Sequence, residues 1–359
     1  MGVTIKFNND INKEFADTLR QRVNDYFKTE QISKAGGNKI VFKTVIFTTL
    51  YLGSYFLIIS NTLDLYLMWI LSGVMGLAAA GIGMCVMHDA NHGSYSDNKK
   101  INRIISYSME ILGGSSLNWR IQHNKLHHTF TNIENADDDI SSRSLYRFTK
   151  GAKLKKFHKY QYIYMFFLYG LMTFTWLFIA DFFQLIRYNK EGYIAGKEDF
   201  KKEFVKLIFF KILYFGYIII LPLIFVDIAW YQYIIGLFTM QFILGFVLAV
   251  TFQLAHLVEK TDFPVPENNK INNNWFVHQL ETTADFAQRN KLLTWYTGGL
   301  NFQTEHHLFP KISHIHYPEL AKIVRKTCNE YGIRYNVYES LSEALYSHIR
   351  MLKKLGKKL

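Results

Sequence analysis

Cysteine is nearly absent: the 359 residues hold two. Cys85 lies in an apolar run, Cys328 is far from it, and neither has a Cys-x-x-Cys partner. A disulfide framework and a thiolate metal site are thereby excluded. No internal repeat is found, and the closest approach to low complexity is an asparagine-rich stretch at 268–274. The first 38 residues are mostly polar, so no cleavable signal peptide is expected. Mean hydropathy is close to zero although 49% of residues are apolar and 16% aromatic. Long apolar blocks separated by charged ones produce that combination.

The net charge of +12 fits either nucleic acid or an anionic membrane surface. The placement of the charges decides between them. Five stretches approach the roughly 20 apolar residues that a membrane span needs: 44–60, 65–87, 161–180, 207–226 with Lys211 inside it, and 228–255. Lysines 150, 153, 155, 156 and 159 precede the third stretch, and Arg187 and Lys190 follow it. The positive-inside rule places both of its flanks in the cytoplasm, so 161–182 reads as an interfacial or re-entrant segment. The remaining four (44–60, 65–87, 207–226 and 230–253) read as two hairpins whose short external turns lack Lys and Arg. Both termini are then cytoplasmic, and the basic excess is topogenic and lipid-facing. Nucleic acid is not an expected partner.

Thirteen histidines are distributed unevenly. His88 and His92 directly follow the second span. His123, His127 and His128 form a His-x-x-x-His-His group. Gln303, His306 and His307 form a Gln-x-x-His-His group, and His256 stands alone at the end of the last span. Side chains four apart on a helix share a face. His88 with His92, and His123 with His127, can therefore converge on one metal region, while His128 points toward a second. Random placement yields His-x-x-x-His-His about 0.02 times in such a chain. Surface histidines are thus the weaker explanation. Eight candidate histidines exceed the about four ligands of a single tetrahedral zinc and indicate two metals. Imidazole suits Zn, Cu, Fe and Ni, and a lipid-adjacent, redox-capable pair favours iron for O2 chemistry.

The stretches MHDANHGSYS at 87–96, QHNKLHHTFTN at 122–132 and GGLNFQTEHHLFPKISHIHYP at 298–318 resemble the membrane fatty acid desaturase family. The likeness covers about 40–335, leaving 1–39 as a cytosolic arm and 336–359 as a basic C-terminal helix or tail. It implies an all-α integral membrane fold: four transmembrane helices in two hairpins, interfacial helices, and a cytosolic helical cap carrying the histidine boxes. It further implies that His88, His92, His123, His127, His128, His256, His306 and His307 ligate two irons, with Gln303 in a ninth place as a weak ligand or holding a water. Gln303 at the head of the third box resembles the front-end desaturases. Those enzymes insert a cis double bond between an existing one and the carboxyl end of an acyl chain. The implied substrate is an acyl-CoA or acyl-lipid, with O2 as co-substrate and membrane lipid as surroundings. The His-Pro-Gly-Gly haem signature of a fused cytochrome b5 domain is not found, so a separate cytochrome b5 or ferredoxin with its reductase is the implied electron donor. The implied location is a multi-pass protein, most simply of a bacterial cytoplasmic membrane.

Asp89, Asn91, Asp137, Asp138, Asp139 and Glu305 are the candidates to orient imidazoles through their free N–H, although the run 137–139 reads first as solvated or a helix cap. His278 is the alternative to Gln303 as a ligand. His314 and His316 read as turn residues and His158 and His348 as surface residues; Trp119, Trp275 and Trp295 read as interfacial first, with closing the site as the alternative. The small residues at 76–83 suit close helix packing or an acyl tunnel. Two rival functions share the histidines: a hydroxylase or ketolase of the same superfamily, and a membrane metal transporter. Transporters hold their ligands on the spans themselves, near mid-membrane, whereas these groups follow the spans.

Overall fold

The computed structural model describes residues 5–142 and 144–358. It is an all-α membrane protein, and its chain forms two compact units. One comprises Gly37–Arg120 and Phe166–Val250; the other comprises Val3–Gly36, Ile121–Met165 and Thr251–Leu359.

Among the described residues four helices are long and apolar enough to cross a membrane: Gly37–Ile59, Leu65–His92, Gly196–Phe225 and Trp230–His256. They overrun the apolar windows because helix continues into polar sequence at their ends. The first turn closes at Asn61, in the left-handed region at φ 55°, and Asp64 then caps the second helix by accepting from Leu67 N at 2.9 Å. Asn61 Oδ1 also accepts from Asp227 N at 3.0 Å, which joins the two short turns. Close packing accounts for the small residues at 76–83: a Cβ on Gly76 would run into the Met240 carbonyl. Large apolar side chains such as Phe42, Phe56, Phe209, Ile212 and Ile224 face outward, as lipid-facing surfaces do.

Segment 161–182 belongs to a broken helix, Lys156–Gly170 and Met172–Lys190, bent by 58°. Lys211, the one charge in its apolar window, is buried and fully engaged. Its ammonium donates to Gly113 O at 2.6 Å, Trp176 O at 2.9 Å and Asp181 Oδ2 at 2.7 Å. A buried ammonium demands such partners.

The second unit is built around a core to which Phe15, Leu19, Val23 and Phe27 contribute, together with Phe276, Leu280, Phe302, Leu308, Leu320 and Val324. The N-terminal helix Lys13–Thr29 is therefore part of this core. Expected within a separate cytosolic arm, it instead packs into this core. The helices Trp275–Thr282, Gln303–Leu308, Tyr317–Tyr331 and Leu341–Leu355 surround it. Two pairs of two-residue parallel strands tie distant segments: Lys6–Phe7 with Lys270–Ile271, and Asp285–Phe286 with Val337–Tyr338.

Candidate metal centre

The first histidine box stands in the unit that holds the spans. The second long helix passes through a π-helical turn, Ile82–Met87, before its last residues His88–His92. Gly93 ends it at φ 78°, a conformation that suits glycine. The His88 and His92 rings lie 4.7 Å apart, and Trp119 packs edge-on against both at 5.5 and 5.4 Å. Trp119 is thus a direct neighbour of the box. Asp89 Oδ1 lies 3.7 Å from His88 Nδ1, beyond hydrogen-bond distance. Asn91 accepts from Arg120 at 3.1 Å and donates to the Met87 carbonyl at 3.0 Å, so its amide is taken up by the scaffold.

The other boxes meet inside the second unit. His123 and His127 come from a second π-helical turn, Arg120–His127, and not from the regular α-helix that the spacing argument assumed. Such turns concentrate at functional sites. The rings still share a face, stacked at 5.2 Å. His128 follows at once, His256 ends the fourth long helix, and Gln303, His306 and His307 lie on the short helix Gln303–Leu308.

Their ring nitrogens converge in two groups. His128 Nε2 lies 3.2 Å from His123 Nε2 and 2.9 Å from His306 Nε2, and the last two are 3.4 Å apart. His127, His256 and His307 form the second group, all within 4.8 Å of one another. Gln303 Nε2 reaches into it, 2.9 Å from His256 Nε2 and 3.4 Å from His307 Nε2. Nitrogens sharing an ion at about 2.1 Å stand about 3.0 to 3.4 Å apart for bond angles between a right angle and tetrahedral. The separations in the first group, 2.9 to 3.4 Å, match. The residues fit a metal.

The opposite edge of five of these rings explains why Nε2 is the atom that faces inward. His127 Nδ1 is 3.0 Å from both oxygens of Asp137, His307 Nδ1 is 2.8 Å from Gln279 Oε1, and His256 Nδ1 is 3.3 Å from Thr282 O. His306 Nδ1 meets the Tyr317 hydroxyl at 3.1 Å, and His123 Nδ1 lies 3.5 Å from Asp139. An Nδ1–H held by an oxygen leaves Nε2 as a lone pair. Two buried atoms in the second group have no hydrogen-bond partner, His127 Nε2 and Gln303 Oε1. A buried acceptor left unpaired is costly, and a cation satisfies it.

Burial works against a charge on His127, but Asp137 and Asp139 outweigh it and hold its pKa above the ordinary value. The same burial raises the Asp137 carboxyl, only partly opposed by His127.

Several assignments change with these positions. The run 137–139 is neither solvated nor a plain cap: Asp137 is buried against His127 and Asp139 faces His123, whereas Asp138 lends its backbone carbonyl to Ser141. Glu305 turns away from the imidazoles and joins Tyr335 and Asp285. His278 is buried against Phe7, with ring centroids 5.0 Å apart, and burial lowers its pKa to about 3; Gln303, not His278, faces His256. His348 and His158, expected on the surface, are buried. His348 Nδ1 donates to Leu257 O at 2.8 Å, one residue after His256. His314 and His316 do form a turn.

Gln279, Tyr317, Thr282 and Phe252 were not singled out by sequence. Gln279 also accepts from Thr131 and donates to His128 O. Phe252 packs against His123, His127 and His256 at 5.3 to 5.6 Å. Only Tyr317 carried a signal, as part of the quoted stretch ending in HIHYP.

Comparison with known proteins agrees with this chemistry. A family profile described as fatty acid desaturase matches residues 64–339. The chain is 34% identical over 347 residues to the sn-1 linoleoyl-lipid 6-desaturase of Synechocystis sp., covering 96% of each. It is 32% identical over 342 residues to the enzyme of the same name from Arthrospira platensis, covering 95% of this chain and 92% of that one. It is 33% identical over 355 residues to an acyl-lipid (8-3)-desaturase of Physcomitrium patens, covering 98% of this chain and 74% of that one.

Proposed function

We propose that this chain, which belongs to the fatty acid desaturase family and is an oxidoreductase of that kind, uses O2 and a histidine-held pair of irons to insert a cis double bond into a lipid-borne acyl chain, in the front-end position. The observation that carries the metal assignment is the inward convergence of the ring nitrogens, with His123, His127, His256, His306 and His307 held from behind at Nδ1. The relatives are named for acyl-lipid substrates, which favours a glycerolipid over acyl-CoA. The Gln-x-x-His-His form of the third box favours the front-end position.

In this reading His127, His256 and His307 with Gln303 hold one iron, and His123, His128 and His306 the other. His88 and His92 are assigned to the same centre on their place in the sequence pattern. When bound, the iron pair supplies the oxidising power that an unactivated methylene pair requires. The balanced reaction takes two hydrogens from adjacent carbons, two electrons and two protons from outside, and one O2, and yields the alkene and two waters. The electrons come from a separate cytochrome b5 or ferredoxin with its reductase, and the lysine distribution favours a cytoplasmic site.

The chain's own residues do the positioning. Asp137, Gln279, Tyr317 and the Thr282 carbonyl fix the rings, so little reorganisation accompanies turnover. The Phe252 ring lies across three of the imidazoles and excludes water from that side. Neutral imidazoles leave the metals with more positive charge than carboxylates do.

Expression in a host fed defined unsaturated acids, with the new double bond located by mass spectrometry, tests the reaction. Loss of two hydrogens supports it; gain of oxygen assigns a hydroxylase instead. Purified protein should carry two irons per chain, and reversible zinc binding would count against the assignment. His127→Ala should abolish activity.

A further inference from the structure

We propose that two lysine-rich segments of the second unit, far apart in sequence, form one docking face for the headgroups of anionic phospholipids. The first holds five lysines between Lys150 and Lys159, the second four between Lys353 and Lys358. Eight of the nine are exposed, and Lys155 is half-buried.

Buried polar side chains lock the segments together. Arg147 donates through Nε to Ala152 O at 2.8 Å, through Nη1 to Leu355 O at 2.7 Å, and through Nη2 to Lys150 O. Gln161 donates to Leu352 O at 2.8 Å and to Arg147 O at 3.0 Å. Both carbonyls belong to the last turn of the helix Leu341–Leu355, where intrahelical donors run out; Leu352 O is shared between Gly356 N, at 3.0 Å, and Gln161. Gly356 lies so close to the His158 carbonyl that a Cβ there would collide with it. The second lysine group is thus held beside the first.

The composition of this face selects its occupant. Residues 140–180 and 344–359 contain no Asp or Glu. Glu134 does reach the first segment, but its carboxylate is engaged by Thr149 Oγ1 at 2.8 Å and Gly151 N at 3.1 Å. Apolar side chains alternate with the lysines and are exposed: Leu154, Phe157, Tyr160 and Ile163, the last at 61%. Ammonium groups lie over neighbouring rings, Lys159 on Tyr160 at 4.7 Å and Lys353 on Tyr162 at 5.5 Å. Lysine stems beside exposed aromatic and aliphatic side chains suit the boundary between headgroups and acyl chains. An acidic protein partner gives no reason for a row of exposed aliphatics. Anionic lipid accounts for both features.

The test uses the full chain in nanodiscs of phosphatidylcholine and phosphatidylglycerol at roughly three to one, with the lipid retained on detergent extraction quantified by mass spectrometry. A lysine near an anionic surface favours it by up to about fivefold, so the retained lipid should be enriched in phosphatidylglycerol at least about threefold over the disc. The variant K353Q/K354Q/K357Q/K358Q should lose at least half of that enrichment. Raising salt from ~0.05 to ~0.5 M on the wild type should do the same without any substitution. Absence of enrichment in the wild type, its persistence in both the variant and high salt, or lysine-dependent capture of poly-glutamate without lipid enrichment would each overturn the proposal. The readout is independent of metal content and turnover.

Discussion

Asp137→Asn is the sharpest probe of how the imidazoles are held. Both carboxylate oxygens are doubly engaged: Oδ1 accepts from Asp139 N at 2.9 Å and His127 Nδ1 at 3.0 Å, and Oδ2 accepts from Asn132 N at 2.9 Å and His127 Nδ1 at 3.0 Å. An amide of the same shape offers one acceptor and one donor end. Whichever way it turns, a backbone N–H faces an NH2 group in a site with no solvent exposure to relieve it. Leaving a buried donor unpaired costs about 1–3 kcal/mol. The negative charge that holds the His127 proton on Nδ1 disappears as well. Loss of such an outer partner typically lowers metal affinity or activity by about 10- to 100-fold. The assay is iron retained per chain against chelators of graded strength, with thermal unfolding in detergent measured alongside. Iron affinity within about twofold of the wild type would refute the claim that Asp137 sets the ring. A double variant with His127→Ala separates this from general instability: if Asp137 acts through His127, the two losses are not additive.

Lys211→Met should lower the unfolding temperature strongly, because it strands the Asp181 carboxylate; breaking one side of a buried pair costs about 3–5 kcal/mol. Adding Asp181→Leu should recover most of that loss, and failure to recover would mean that the Gly113 and Trp176 carbonyls matter more than the charge pair. His348→Gln should flatten the dependence of stability on acid. Burial lowers the pKa of His348 to about 4, below the unfolded value of about 6.5. The unfolded chain therefore binds the proton first, and stability falls as pH drops from about 6.5 toward 4, by about 3 kcal/mol in all. Unfolding midpoints of wild type and variant at pH 5 and 7.5 check this, and equal slopes would count against it.

The spans and the ligands were legible for different reasons. Uninterrupted apolar windows announce spans through length alone, and histidines are rare enough that their spacing carries information without a fold. The partners behind the rings had no such signal. Gln279 reaches His307 only because the helix Trp275–Thr282 packs beside Gln303–Leu308, a tertiary fact that leaves no period in the sequence. The aspartates at 137–139 look the same on paper whether they cap, face solvent or hold an imidazole; burial alone separates those roles. His348 and His158 were misread because an isolated histidine has no pattern, and the packing that buries it comes from elsewhere in the chain. The N-terminal helix was different. Phe15, Leu19, Val23 and Phe27 recur every four residues, a stripe that could have been recognised as core-facing.

The carboxylate pair at the third box sets a further prediction, because its hydrogen count can be closed. The Tyr335 hydroxyl lies 2.5 Å from Asp285 Oδ2 and 2.9 Å from Glu305 Oε1, and it also receives Gln288 Nε2 at 2.9 Å. A hydroxyl has one proton to give. It goes to Asp285, which also accepts from Thr304 N at 2.8 Å. The bond to Glu305 must then be donated by Glu305, which is therefore protonated. The electrostatics agree: burial, then the neighbouring Asp285, push the Glu305 carboxyl well above its ordinary value. Glu305→Gln replaces a donating carboxylic acid with a donating amide and should leave stability within about 1 kcal/mol of the wild type near pH 6. Asp285→Asn forfeits an acceptor that three donors, Tyr335, Thr304 N and Gln288 Nε2, share and should cost about 2–3 kcal/mol. The pH dependence fixes the sign. Folded Glu305 keeps its proton above the pH at which the unfolded chain releases it, so this contribution is complete at low pH and declines as pH rises. Relative to wild type, Glu305→Gln should therefore gain in unfolding temperature between pH 6 and 9. A constant difference across that range would mean that Glu305 is ionised and that the proton sits elsewhere.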